Sequence, residues 1–508
     1  MKNAEEKLSK LNKDLEKAKT FFLDNIKEVD SPIHIYTHLD ADGLSSGAIL
    51  GKALYRERLP FQITVLRQLE KSEIQNLSNK IEDNKGFLFF CDLGSGQYLE
   101  LQKNLIINKK FISFLILDHH LPQDISNKEE IDSINEIHRN TSPWHINPYF
   151  FDIDGSKEIS AAGVCYYFSK CLNSQNLDLS PIAIVGAIGD IQNQYTNKSF
   201  QGLNSLILED AKNSGLIEVI NDLNFSALRP INEAISYSTE IKLPGLTNNA
   251  AKTLVFLKTL GILIENTEGR VKTLNELNQD EKQKISSAII EYASLKLDLK
   301  PSNIINKLII NRYILREEVT HSELHDAKEF SYLLNACGRT YNASLGIAIA
   351  MGDRKESYKQ SKEVRQNYRK LLQESLFWIE NKEKIQQKEY IQYFFGEDII
   401  PESIIGTITS MLIFENIQGI DKSKPIFGFA IRKDENVYKV SGRAHEKIVK
   451  KGVNLSEAIR EACIHLNLDV LGGGHPPAAG TKIPVDTVES FLENCNLAIQ
   501  NQLKHKES

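Results

Sequence analysis

Hydrophobic positions follow two rhythms along this chain. Ala4, Leu8, Leu11, Leu15, Ala18 and Phe22 recur at spacings of three and four, with Lys and Glu between them. That period predicts an amphipathic helix over residues 1–29, packing on the first domain or on a partner. The rhythm then changes. Residues 33–37 form an apolar, β-rich run that reads as a buried strand, and residues 43–50 read as a helix start. Residues 63–66, 86–91 and 111–117 are further strand candidates. The last two are apolar without alternation, as expected of parallel strands covered by helices on both faces. Stretches 71–81 and 97–103 can supply crossovers, and helical stretches at 160–172 and 181–191 close the unit. Residues 1–200 therefore predict a doubly wound, parallel-sheet α/β domain.

Residues 201–353 are mostly helical in pattern and read as a connector. A charged helix follows at about 354–380, and from Pro425 strands and helices alternate again, so residues 354–508 predict a linking helix and a smaller α/β domain. The expected fold class is α/β throughout, with no repeat of period 20–50.

Composition changes this picture little. Of 508 residues, 41% are hydrophobic and 25% charged, the balance of an ordinary globular protein. A net charge of −6 argues against a basic nucleic-acid binder overall, but not against a local basic track. The six cysteines are scattered without a CxxC, which predicts reduced core thiols in a cytoplasmic protein. No signal peptide is expected before the fold, and no apolar run approaches the ~18 residues of a membrane span.

The candidate chemistry lies at the strand ends. The first strand runs into His38-Leu39-Asp40-Ala41-Asp42-Gly43, the 86–91 strand into Asp92-Leu93-Gly94, and the 111–117 strand into Asp118-His119-His120. The apolar helix at 181–188 runs into Gly189-Asp190. Open α/β sheets hold ligands at this edge. Singly, each residue has a plain reading as a helix cap, turn residue or surface histidine. Jointly they predict a cation site, with His38, Asp40 and Asp42 pointing one way if the extended backbone continues. Imidazoles and carboxylates without thiolates suit Mn²⁺ or Mg²⁺. Four carboxylates (Asp40, Asp42, Asp92, Asp190) are balanced by two such ions, an arrangement suited to phosphoryl transfer.

These segments resemble motifs I to IV of the DHH phosphoesterase superfamily. Asn335-Ala336-Cys337-Gly338-Arg339, Ser441-Gly442-Arg443 and Gly472-Gly473-Gly474-His475-Pro476-Pro477 resemble further motifs of RecJ-like nucleases, in wording close to their archaeal, GINS-associated branch. The resemblance implies a DHH domain and a DHH-associated C-terminal domain with the active site in a cleft between them. It implies that His38, Asp40 and Asp92 hold one ion, and that Asp42, Asp92, His119 and Asp190 hold the other. His120 would face the scissile phosphate, and Asp118 would orient an imidazole. Asn335, Arg339, Ser441, Arg443, Gly473, Gly474 and His475 would bind substrate. Lys355, Lys359, Lys362 and Arg369 recur at helical spacing, either as a solvated face or as a track for a strand.

The function so implied is an exonuclease on single-stranded DNA or RNA in replication or repair, with the GINS complex and the replicative helicase as partners. Two other functions are open: a replisome scaffold with little catalysis, and a phosphodiesterase for oligoribonucleotides or cyclic dinucleotides.

Overall fold

A computed structural model describes residues 2–27, 32–80, 86–107, 112–122, 145–194, 198–238, 241–297, 300–381, 383–414, 419–468 and 472–504. The chain divides into two compact units, Met1–Arg365 and Gln366–Ser508.

The first unit is built on a five-stranded parallel sheet in the order β2-β1-β3-β4-β5. These strands are β1 (Ile33–His38), β2 (Phe61–Leu66), β3 (Phe87–Cys91), β4 (Ser113–Leu117) and β5 (His145–Ile146). The two-residue β5 is too short to carry a periodic signal, and the sequence reading missed it. Phe111, placed in the fourth strand by that reading, lies outside the described residues. All five residues of β3 are buried, as a continuous apolar run demands.

Register decides where the chemistry falls. His38 pairs with Leu66, Thr37 with Cys91, and Cys91 with Leu117. The residues that follow these rungs, Asp92 and Asp118, therefore emerge beside His38 on one sheet edge.

Helix α1 (Lys2–Ile26) buries Leu11, Leu15, Ala18 and Phe22 completely. Phe22 meets Phe87, Phe89 and Phe168 at centroid distances of 5.0, 5.1 and 6.3 Å. The apolar stripe is thus consumed by this chain's own core. Removing Phe22 should cost about 3–5 kcal/mol.

Helices α2 (Ala41–Arg56), α4 (Ala161–Leu172) and α5 (Ser180–Gly189) pack on one another beside the sheet edge that carries His38, while α3 (Lys71–Lys80) packs its Ile74 and Leu77 in a separate apolar cluster. Helix α6 (Gly202–Asn213) follows. The 201–353 region is less purely helical than its pattern implied. An antiparallel ribbon, β6 (Ile217–Leu223) with β7 (Ile309–Leu315), brackets a helical insertion with its own apolar core around Ile231, Leu257, Ile285 and Ile289. The two strands lie about 90 residues apart, so no local turn signal announces their pairing. Helices α7 (Ala327–Arg339) and α8 (Ala343–Met351) then return to the sheet core, and α9 (Glu356–Asn381) carries the chain into the second unit.

The second unit has a six-stranded mixed sheet in the order β12-β13-β11-β10-β9-β8. Its strands are β8 (Gln386–Gln387), β9 (Gln392–Phe395), β10 (Ile426–Arg432), β11 (Val437–Arg443), β12 (Gly473–His475) and β13 (Ala478–Pro484). Helices α10 (Glu402–Phe414), α11 (Leu455–His465) and α12 (Val488–Lys504) complete it. No helix among the described residues is long and apolar enough to cross a membrane.

Candidate metal centre

The extended continuation expected for His38 through Asp42 does not occur. The strand stops at His38, and Asp40 caps α2 by accepting the Gly43 N–H at 3.0 Å. A cap satisfies an otherwise orphaned helical N–H, and here it turns the chain at once. Its other oxygen stays on the cluster, 2.9 Å from His38 Nδ1. The cap reading and the cluster reading of Asp40 therefore both hold.

Asp42 sits in the first turn of α2 with no exposed surface. Its carboxylate accepts the Ala161 and Ala162 N–H groups, at 2.7 and 3.1 Å, from the N-terminus of α4. Gly186 of α5 makes the room, since a Cβ there would lie 2.5 Å from Asp42 Oδ1. Asp92 leaves β3 with φ +60, a left-handed conformation that Asp tolerates, and this turns its carboxylate inward.

Two triads result. His38, Asp40 and Asp92 form one, and Asp42, His119 and Asp190 the other, each with candidate ligand atoms within 4.8 Å of one another. Asp92 touches both: Oδ2 is 3.5 Å from His38 Nδ1, and Oδ1 is 3.3 Å from His119 Nε2. His119 Nε2 also lies 3.2 Å from Asp190 Oδ2.

Second contacts set the imidazoles. His119 Nδ1 lies 2.7 Å from the Gly155 carbonyl, which requires the proton on Nδ1 and leaves Nε2 facing the acids. Asp118 is saturated. It accepts from the backbone N–H groups of His119, His120 and Ser95, and lies 2.9 Å from His120 Nδ1. Asp92, Asp118, His119 and His120 also bring candidate ligand atoms within 4.8 Å of one another. His120 is half exposed, with its ring pinned by Asp118 and its Nε2 side turned from that bond.

The electrostatics are those of a site built for cations. Burial pushes Asp42 well up, and Asp190 and Asp92 add to it. Burial, with Asp40 and Asp92, pushes Asp190 up to about 7. Burial opposes the charged form of His38 and His119, yet the surrounding carboxylates hold both well above their ordinary value. Asp40 goes the other way: burial is outweighed by His38, which holds its carboxyl well below the usual range. His38 Nδ1, His119 Nε2 and both Asp92 oxygens are buried without a well-directed hydrogen bond. Buried polar atoms are seldom left so, and this donor set of imidazole and carboxylate fits hard divalent ions.

Among the supporting residues, Ser95, His145, Asn147, Gly155 and Gln192 carried no sequence signal. Ser95 Oγ lies 2.8 Å from His145 Nε2 and accepts the Asn147 amide at 2.8 Å, while the same amide group donates to the His120 carbonyl. Gln192 donates to the Gly155 carbonyl that holds His119. The Asn335 side-chain carbonyl accepts the Ala41 N–H at 3.2 Å, so this residue braces the His38–Asp42 loop. Gly338 packs so tightly on that loop that a Cβ would meet the Leu39 carbonyl. Arg339 lies near enough for its charge to act on Asp40.

Of the remaining predicted residues, Ser441, Arg443, Gly473, Gly474 and His475 lie in the second unit, and Lys355, Lys359 and Lys362 at the end of the first. The Arg443 guanidinium donates through Nε to Ser410 Oγ at 2.8 Å, and through Nη1 to Ser441 Oγ and the Gly442 carbonyl. Gly473, Gly474 and His475 form β12, an exposed edge strand hairpinned onto β13. Of the basic stripe, Lys355, Lys359 and Lys362 are exposed, and Lys362 sits over the Tyr358 ring at 4.5 Å.

Comparison with known proteins decides the lineage. Residues 226–309 match the DHH-CID domain model, and residues 389–501 match the DHHA1 domain model. An uncharacterized protein of Methanocaldococcus jannaschii is 32% identical over 97% of this chain and 99% of its own length. Manganese-bound RecJ from Thermus thermophilus superposes with a TM-score of 0.54 at 15% identity, over 96% of this chain. This chain spans only 55% of that RecJ. CDC45 from Entamoeba histolytica superposes with a TM-score of 0.60 at 14% identity, over 96% of this chain and 99% of its own.

The chain belongs to one family with the Methanocaldococcus jannaschii protein, carries DHH-CID and DHHA1 domains, and has a RecJ-like fold.

In this DHH protein Asp118 lies against His120, and His119 stands in a triad with Asp42 and Asp190. The acidic cluster on a DHH phosphoesterase fold can hold metal.

Proposed function

We propose that this protein is a metal-dependent phosphodiesterase that removes nucleotides from single-stranded DNA or RNA. The observation that carries this reading is the pair of acid–imidazole triads with Asp92 of the first lying 3.3 Å from His119 of the second, and with both Asp92 oxygens buried without hydrogen bonds. His38, Asp40 and Asp92 would hold one Mn²⁺ or Mg²⁺ ion, and Asp42, Asp92, His119 and Asp190 a second. When bound, such ions polarise a phosphoryl oxygen and lower the pKa of water.

The chain's own residues do the rest. His120, pinned through Nδ1 by Asp118, offers its outer nitrogen to a phosphate oxygen and stabilises charge as it develops there. Arg339 and Arg443 bring guanidinium groups to phosphates, and Asn335 holds the metal-binding loop in place.

The CDC45-like fold favours a second reading, a replisome scaffold that works with GINS and the helicase. The intact donor set favours catalysis over pure scaffolding. End-labelled 30-mers of DNA and RNA, and a labelled dinucleotide, should be incubated with Mn²⁺, Mg²⁺ or EDTA. Metal-dependent shortening of the 30-mers is expected. Cleavage of the dinucleotide alone would give the protein to small substrates, and no cleavage with any metal would leave the scaffold.

A further inference from the structure

Helices α5 and α7 both end at the metal centre, α5 at Asp190 and α7 at Arg339, and both stop in the same way. The Ile191 N–H bonds the Ile188 carbonyl and the Gln192 N–H bonds the Ala187 carbonyl, each at 3.0 Å. The Tyr341 N–H bonds the Gly338 carbonyl at 3.4 Å, and the Asn342 N–H bonds the Cys337 carbonyl at 2.8 Å. This paired pattern is the Schellman stop, whose pivotal residue adopts left-handed backbone and is usually glycine. Here φ is +59° at Ile191 and +63° at Tyr341.

A side chain at that position costs free energy, most of all a β-branched or bulky one. Helix α6 makes the same stop with Gly215 at φ +70° and α11 with Asn467, residue types that tolerate it, while α2 makes it on Arg58. The strain is not offset by burial, because Ile191 is 58% exposed and Tyr341 is 63% exposed. Two apolar side chains are therefore held, under strain and in water, one beside each acid–imidazole triad.

Tyr341 also has a companion. The Arg67 guanidinium carbon lies 4.4 Å from the centre of its ring. Arg67 is one residue beyond Leu66, which pairs with His38, so the stacked pair stands at the metal-bearing edge of the sheet. An exposed ring backed by a cation, next to phosphate-binding chemistry, has the character of a single-strand stacking platform.

We infer that Tyr341, backed by Arg67, and Ile191 contact unpaired nucleobases on a strand entering the metal centre. The inference rests on the single-strand phosphodiesterase reading above. It adds where the bases, as distinct from the phosphates, are gripped.

Steady-state cleavage of a labelled single-stranded 12-mer by the full chain with Mn²⁺ tests it, alongside thermal unfolding. Tyr341→Gly and Ile191→Gly should each raise KM about ten- to a hundredfold. The same variants should raise Tm, because glycine relieves the left-handed strain. A merely structural side chain would not give that opposed pair of effects. Tyr341→Trp should restore KM. A single abasic site, walked along the 12-mer, should at one position raise the wild-type KM and add nothing to the Tyr341→Gly effect.

Wild-type KM in both glycine variants, or a lowered Tm in both, overturns the inference. An unchanged KM with altered self-association in sedimentation would assign these side chains to a second copy of the chain, and also overturns it. If wild type cleaves no single strand, the function proposal falls and this inference falls with it. If wild type cleaves and the variants match it, only this inference falls.

Discussion

Asp190→Asn separates charge from shape at the metal centre. The Asp190 carboxyl is pushed from 3.8 up to about 7, chiefly by burial and by the Asp40 and Asp92 charges, against the pull of His119. At ~1.4 kcal/mol per pH unit, ionising it in the metal-free fold costs about 4 kcal/mol. Its side chain is 24% exposed, so water screens part of that, and about 2 kcal/mol is the working figure. The sign follows from the direction of the shift. Below the unfolded value both states are protonated and nothing is lost. As pH rises the unfolded chain ionises first, and the metal-free fold loses stability up to about pH 7. Asp42 is shifted the same way. Raised His38 and His119 also stabilise the fold at low pH and lose that contribution as pH climbs through their folded values. Asp40 and Asp118 are shifted down, so their contribution fails only in stronger acid, below this window.

Urea unfolding of wild type and Asp190→Asn, in EDTA and in Mn²⁺, from pH 4.5 to 8, measures this. In EDTA at pH 8 the variant should be more stable by about 2 kcal/mol, and the gap should shrink steadily toward pH 4.5. In Mn²⁺ the order should reverse, because bound cations replace the protons and wild type keeps the full ligand set. A metal-free variant no more stable than wild type at pH 8 would refute the claim that this cluster is held against its own charge.

Asp92→Asn, which keeps a residue able to adopt the left-handed backbone at φ +60°, should abolish cleavage and lower Mn²⁺ stoichiometry in calorimetry. His120→Ala should cut kcat by roughly 10²–10³ with Mn²⁺ stoichiometry unchanged; a lost ion would make His120 a ligand. Ser410→Ala frees the Arg443 guanidinium at Nε and should raise KM for a 30-mer several-fold with little change in kcat, which steady-state kinetics resolves. Lys359→Gln should make the log–log salt dependence of single-strand binding shallower by about 0.7 if the α9 stripe tracks phosphates, and leave it unchanged if the stripe is only solvated.

The fold was legible where hydrophobic rhythm was strong. Four sheet strands, the α1 stripe and the helices before Asp190 were readable because burial on two faces leaves long apolar runs. The β6–β7 ribbon was not, because its strands are joined by a folded insertion instead of a turn. At the site, the candidate ligands were readable as strand-end acids and imidazoles, since a parallel sheet delivers such residues to one edge. The alternation of His38, Asp40 and Asp42 was conditional on an extended backbone, and that condition is not met. Asp40 at a helix start is a strong cap, and capping overrode the strand's alternation.

What holds the ligands was invisible for a physical reason. The Gly155 carbonyl, the Gln192 and Asn147 amides and the Ser95 backbone act through hydrogen bonds between segments distant in sequence, and any residue type can offer a backbone carbonyl. Asn335 shows the consequence. As one polar residue beside Arg339 it reads as a substrate contact, yet its side-chain carbonyl is occupied by the Ala41 N–H. That bond acts on the loop that carries Asp40 and Asp42, whereas any bond to a phosphate would come from the amide N–H₂. At the end of α7, Asn335 and Gly338 clamp the His38–Asp42 loop, Arg339 lies near enough for its charge to act on Asp40, and Tyr341, just past the helix, is exposed. Substitutions at Asn335 and Gly338 should therefore register in metal binding, and substitutions at Tyr341 in the capture of the strand.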